Sequence, residues 1–418
     1  MASRLRAWAL AATAIGGALA AGPALTQPAG APARYTLDAG TLSGMGALGR
    51  SGARGGDSMG AAMAMMRGGG GARAHELILR LGTARAPTGP ARAEHTLPAT
   101  ARFGPVLPLW TPPPTRPAPA PTGPVEMPRG RMLLFWGCGE KAAPGQPLVL
   151  DFSKMAKGQV PPGLYAQALT MAEEWRITRA TSRSYGEWPN PDDPTTVPAN
   201  ASLRGAHKVS GTYTPDIAFT LDQDFMAPIA LASRALPSGA YAMSWNAVPA
   251  ATGYYAWAFS AKQGRGGETG DMVWWTSSAT QAFGGPMWDW LSPAAVQRLI
   301  GAKTVMAPNQ TSCTVPAEVK AMGGEVTMAS LYAYGPERNF SFPPRPANAA
   351  PGWQPEWIAR ARFRSMTMAM LGMDMAAIGG MDGDAESEGA SAPPPTPAKP
   401  KCKGGLAGIA QRAAGLCQ

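Results

Sequence analysis

Short apolar runs, each stopped within a few residues by a turn signal, leave this chain little choice but β-structure. Arg131-Met132-Leu133-Leu134-Phe135-Trp136 is a solid apolar run that ends at Gly137-Cys138-Gly139. Pro144-Gly145-Gln146-Pro147 then marks a turn, and Leu148 to Phe152 marks the returning strand. Leu77, Leu79 and Leu81 alternate within His75 to Leu81, and a second short strand is expected near Phe103 to Leu109. After an exposed loop between Asn190 and Pro198, strand patterns resume at His207 to Tyr213 and Asp216 to Leu221. Regular short strands between turns point to a sandwich or barrel. The expected fold is all-β, with one or two Ig-like β-sandwich modules, minor helices and disordered low-complexity flanks.

The clearest segment runs from Ser238 to about Gly335. Tyr241, Met243 and Trp245 alternate onto one face, and Tyr255, Trp257 and Phe259 do so after a turn at Pro249 to Gly253. Ser244-Trp245-Asn246-Ala247-Val248-Pro249, followed by Ala251-Thr252-Gly253-Tyr254-Tyr255, resembles a fibronectin type III-like module. The resemblance implies a core tryptophan on one strand and a tyrosine after the proline-containing turn. Met328 to Gly335 looks like the closing strand. The pattern departs from that family at Ser292-Pro293 to Ile300, which reads as a helix capped by serine with proline in its first turn. Resemblance of this kind implies a scaffold, not an activity.

The first residues read as a secretory signal. Arg4 and Arg6 precede an apolar, uncharged stretch from Ala7 to Ala21, and Ala18-Leu19-Ala20 fits a cleavage site. No later stretch approaches the roughly 20 apolar residues of a spanning helix. The mature protein is therefore expected in the periplasm or outside the cell. Its formal charge of +10 is scattered, so nucleic acid is not an expected partner. Export exposes the 4 cysteines to oxidising conditions. The pairing favoured is Cys138 with Cys313 and Cys402 with Cys417, among three possible arrangements.

The expected organisation is a signal peptide over 1–20, a disordered Gly/Met-rich segment over 21–72 and a β-rich domain over 73–235. That domain carries a proline-rich spacer at 111–124. The fibronectin-like sandwich follows over 236–350, then a helix over 351–375 opened by Gln354-Pro355-Glu356, and a disordered tail over 376–418. The acidic stretch Asp382 to Glu388 lacks the spacing of a calcium loop.

Local catalytic strings are weak. Gly44-Met45-Gly46-Ala47-Leu48-Gly49 spells the dinucleotide fingerprint, but that motif needs a preceding strand and a helix opening within it. Gly56-Asp57-Ser58-Met59-Gly60 spells a hydrolase elbow without a preceding buried strand. His75, His95 and His207 are dispersed, and the cysteines form no C-x-x-C pair. No catalytic residue and no cofactor is assigned.

Two features remain. Met366, Met368, Met370, Met373 and Met375 crowd one stretch, with Met63, Met65 and Met66 as a second cluster. Thioethers are soft ligands suited to Cu(I), whereas methionine also fills irregular apolar surfaces. On the expected helix, Met366, Met370 and Met373 share one face and Met368, Leu371 and Met375 another. Trp274 and Trp275 must point to opposite faces of a strand, and Trp288 and Trp290 bracket Asp289. Trp274, Trp288 and Trp290 are the expected contact residues for a sugar ring or a protein partner, and the 355–375 helix a possible docking element. The reading is a non-enzymatic envelope binding or scaffold protein whose partner is an envelope protein or glycan. Periplasmic copper handling and an enzyme with a site built from distant residues are the alternatives.

Overall fold

The structure, a computed structural model, describes residues 31–48, 73–112, 130–155, 176–263, 269–346, 348 and 353–372. The signal peptide, the elbow string, Met63, Met65, Met66, Met373, Met375, Cys402, Cys417 and the acidic and basic tail segments lie outside them. The fold is all-β. One sheet of nine strands dominates. Its order is β6 (Leu148–Asp151), β5 (Arg131–Trp136), β13 (Thr269–Thr276), β12 (Gly253–Gln263), β15 (Thr327–Phe342), β16 (Trp357–Met370), β1 (Ala33–Gly44), β2 (Arg73–Thr83) and β7 (Ser184–Trp188). Neighbours are antiparallel except β1 with β16 and β13 with β5, which are parallel.

Two smaller sheets accompany it. One has four strands, in the order β4 (Val106–Leu109), β3 (Ala93–Thr96), β8 (Gly205–Gly211) and β9 (Ile217–Leu221). The other has three, in the order β10 (Leu231–Ala235), β11 (Tyr241–Trp245) and β14 (Ser312–Val315). Residues from one face of the large sheet, among them Leu37, Leu79, Phe363, Leu331, Tyr254 and Trp275, share a buried apolar cluster with Leu107, Val209, Ile217, Met243 and Val315 from the small sheets. Each such side chain removed from water contributes roughly 1.5–3 kcal/mol, which is what holds the layers together. Strands from both sides of the expected boundary at residue 235 share the nine-stranded sheet. The 238–335 stretch supplies β11 and β14 to the three-stranded sheet, and β12, β13 and most of β15 to the large one.

A disulfide joins Cys138, just after β5, to Cys313 on β14, and so ties the large sheet to the three-stranded one. No helix among the described residues is long and apolar enough to cross a membrane.

Two expectations need correction. The expected helix over 351–375 is strand β16 across Trp357–Met370. Its residues alternate with period 2: Trp357, Ala359, Ala361, Phe363, Ser365 and Thr367 are buried, while Arg364, Met366 and Met368 on the opposite face are half-buried. Alanine and methionine favour helices in isolation, but strands on both sides of the segment, β15 and β1, override that preference. The docking helix and its two methionine faces fall with it. The expected flexible segment over 21–72 is ordered at 33–48, where β1 lies between β16 and β2 in the sheet. Its small residues, Ala39 and Gly40 included, looked like low complexity because they pack between neighbours on both sides.

The string at Gly44 does have a strand before it and a short helix, α1 (Met45–Leu48), within it. The glycines nonetheless serve packing. A Cβ on Gly44 would stand 2.4 Å from the Met368 carbonyl oxygen, and one on Gly46 would touch Met366 and Met368.

Candidate binding surface on the outer sheet face

The face of the large sheet turned away from the small sheets carries the chemistry. Cross-strand register arranges it in rows. Arg362 pairs with Asp38 and Arg364 with Gly40, whose antiparallel partner is Glu76. Further along the strands, Met366 pairs with Tyr332 and with Leu42. At the far end Trp274 pairs with Phe259, Phe259 with Met328, and Met328 with Met370. The face thus grades from ionic to aromatic and thioether.

At the ionic end, Arg362 donates to both carboxylate oxygens of Asp38, from Nε at 2.6 Å and Nη2 at 2.8 Å. Arg80 Nη1 adds a third donor at 3.3 Å. Arg364 Nη2 pairs with Glu76 at 3.2 Å, and its guanidinium lies 4.0 Å from the centroid of the Trp290 ring. Arg360 reaches Glu337 at 3.7 Å. Burial pulls the Arg360 guanidinium down to about 10, with neighbouring Arg362 adding to the effect.

The arginines also clamp the segment that follows β13. Arg362 Nη1 donates to the Trp290 carbonyl at 2.7 Å and Arg364 Nη1 to the Trp288 carbonyl at 2.7 Å. Tyr334 donates its hydroxyl to the Met287 carbonyl. The segment is then pinned by helix α3 (Pro293–Gly301), after the short α2 (Phe152–Met155) earlier in the chain. Ser292 caps α3 by accepting from the Ala295 N–H at 3.2 Å. Val296 and Leu299 of α3 pack with Met287, Leu291, Tyr255 and Tyr334.

This clamp sets three tryptophans together. The rings of Trp257 and Trp274 stack 5.1 Å apart at 18°. Trp288 lies 5.4 Å from Trp274 and 5.9 Å from Trp257. Phe259 meets Trp274 edge-on. Trp257 and Trp274 are half-buried, and Trp288 is 38 % exposed. The Trp288 ring rests over Gly284, where a Cβ would come within 3.0 Å of it.

Of the expected contact residues, Trp274 and Trp288 therefore come together. Trp290 does not join them as a surface group. It is 4 % exposed, covered by Arg364 and lying over Gly40, where a Cβ would stand 3.2 Å from its ring. Trp275, on the opposite face from Trp274, is core, with its indole N–H on the Gly137 carbonyl at 2.8 Å. Trp257 was missed as a contact residue because its alternation with Tyr255 and Phe259 reads equally as core. The arginine–carboxylate rows were missed with β16 itself; the Arg360, Arg362, Arg364 alternation is their one signal in the sequence.

Two of the three histidines, His95 and His207, are brought together by the fold, while His75 stacks on Phe225. Between the large and four-stranded sheets, the Tyr35 hydroxyl meets His95 Nδ1, His95 Nε2 meets His207 Nδ1 at 2.9 Å, and His207 Nε2 meets the Leu203 carbonyl at 2.7 Å. The carbonyl can only accept, so His207 donates from Nε2, His95 donates to His207, and Tyr35 donates to His95. Every ring nitrogen is satisfied with both rings neutral. Burial holds both imidazoles below the ordinary histidine value. Phe219 stacks on His207 and Phe340 on Phe219, closing the network against water.

Among the described residues no cluster of three His, Cys, Asp or Glu side chains is arranged to hold a metal. Comparison with known protein families, with curated proteins and with solved structures finds no match in any of the three.

Proposed function

We propose that this chain is an exported, non-enzymatic binding protein of the cell envelope that seats a glycan on the Trp257–Trp274–Trp288 platform. The observation that carries the reading is the platform's preorganisation. Arg362 and Arg364 fix the backbone beneath Trp288 before any ligand arrives, so little side-chain freedom remains to be lost on binding. Tryptophan faces are apolar while the indole edge donates a hydrogen bond, a combination suited to pyranose rings. Asp289 stands exposed beside Trp288, an acceptor for sugar hydroxyls. Export is supported by the N-terminal sequence and accords with the Cys138–Cys313 disulfide. The fibronectin type III-like reading of 238–335 is supported by Trp245, which is buried against Tyr254 at 5.6 Å.

The test is binding of the purified full chain to peptidoglycan and to envelope polysaccharides, compared with Trp288→Ala. A loss of about tenfold in glycan affinity, with unchanged far-ultraviolet circular dichroism and thermal midpoint, is expected. Equal glycan binding by both forms removes the platform from the site. Capture of an envelope protein instead, lost in the same variant, replaces the glycan with a protein partner.

A further inference from the structure

We infer that Met328, Met368 and Met370 form a thioether site for a soft monovalent cation, Cu(I), beside the tryptophan platform. On a strand the methionines of β16 behave differently from those on a helix. Residues at i and i+2 share a face, so Met366, Met368 and Met370 all point outward together. Met328 on β15 is directly opposite Met370 and diagonal to Met368. Directly opposed residues have Cβ atoms roughly 5 Å apart and diagonal ones roughly 7–8 Å, distances that three long thioethers can close around one ion.

Packing sets Met366 apart from the other three, although Met368 also borders Gly46 of α1. Met366 packs against two apolar clusters, one around Tyr255 and Leu299 and one around Leu42 and Ala47. It is filling space. Met328, Met368 and Met370 are half-buried yet belong to none of the apolar clusters formed among the described residues. The cross-strand partners around them are Phe259, Trp257, Ser330 and Gly44, so no carboxylate, imidazole or thiolate stands in the same rows. A donor set of sulfur alone disfavours Zn(II), Cu(II) and Mg(II) and suits Cu(I). Trp257 is diagonal to Met328 across β12 and β15, the aromatic group placed to report on an ion held there. Thioethers carry no proton to lose, so binding at this site is independent of pH, unlike a cysteine or histidine site.

The experiment is an anaerobic titration of the full mature chain with Cu(I) against a chromophoric Cu(I) chelator, with tryptophan emission read in parallel. Wild-type protein is expected to withdraw one equivalent of Cu(I) and to lose emission as it does so, equally at pH 5.5 and 7.5. The triple variant Met328→Leu, Met368→Leu, Met370→Leu keeps side-chain volume. It is expected to lose that equivalent, or at least tenfold in affinity, with its thermal midpoint unchanged. The Trp288→Ala variant is expected to retain the metal, which separates this site from glycan binding. Binding that persists in the triple variant, or wild-type protein that takes no Cu(I) from the chelator, overturns the assignment. Should the triple variant fold poorly, Met328→Leu alone decides by the same readout.

Discussion

Arg362 makes the costliest single commitment on the outer face. Its partner Asp38 is fully buried, and the two form a bidentate pair that also holds the Trp290 carbonyl. Removing Arg362 leaves the buried Asp38 charge faced by Arg80 at 3.3 Å and by the more distant charge of Arg360. Arg362→Met is expected to destabilise the fold by about 3–5 kcal/mol in urea denaturation. Adding Asp38→Asn should recover part of that loss, because the orphaned charge goes with it; a double variant no better than the single would mean the clamp on Trp290 is what matters. The histidines commit the protein to a pH range. His95 and His207 are held low by burial, and His75, stacked on Phe225, is pulled down to about 4 by burial and by Arg73. In the unfolded chain all three titrate near 6.5. Below that value the unfolded state binds more protons than the folded state, so stability falls as pH falls. The groups facing the pair are Tyr35 and the Leu203 carbonyl, with Asp38 acting on Tyr35, and none of them is a carboxylate bonded to either ring. Between pH 6.5 and 5.5 stability should fall by up to about 1.4 kcal/mol per pH unit for each histidine. Chemical denaturation at a series of pH values measures the slope, and His95→Gln with His207→Gln should be less stable overall but show a shallower one.

At the scale of elements, legibility followed the number of covered faces. Strands β5, β6, β8, β9 and β11 are readable in the sequence because apolar runs or clean alternation are bracketed by turn residues. Helix α3 is readable from Ser292 and Pro293, which satisfy the first turn by chemistry that needs no tertiary partner. The central strands β1 and β16 resist the same reading. Both have neighbours on either edge, and their outward faces are covered in part, β1 by Trp290 over Gly40 and β16 by α1 at Met366 and Met368. Alternation in β16 is therefore alanine against arginine and threonine against methionine, a contrast that a helix accommodates as well. Only the partner strands, far away in sequence, settle the period. The candidate surface inherits this limit: Trp274 and Trp288 could be named from composition, whereas Trp257 and the arginine clamp needed the register.

On the scale of the whole molecule, the first and last described strands lie side by side at the centre of the largest sheet, and β5, β13 and β7 reach it from elsewhere in the chain. Four of the eight neighbour pairs in that sheet, β5 with β13, β12 with β15, β16 with β1 and β2 with β7, join strands that are not consecutive in the chain, so folding must close long loops before those contacts repay the lost chain entropy. The Cys138–Cys313 disulfide acts on this cost directly. It closes a loop of 175 residues and joins β14 to the end of β5, where the Gly139 N–H also bonds the Thr314 carbonyl at 2.8 Å. Loop-closure entropy for that length amounts to about 5 kcal/mol taken from the unfolded state, an upper figure because unfolded chains retain some compactness. Replacing both cysteines by serine is expected to lower stability by roughly 3–5 kcal/mol while leaving the Trp257–Trp274–Trp288 geometry intact, since none of those residues touches the bridge. Urea denaturation of the double variant, beside wild-type protein with and without reductant, measures both halves of that statement. A variant and a reduced protein that unfold at the same lowered midpoint, with glycan binding unchanged below it, would place the bridge in the stability of the scaffold alone. Loss of binding before unfolding would instead mean that the contact between the two sheets reaches the platform, through β13, whose Thr276 carbonyl accepts from Gly137 beside the bridge.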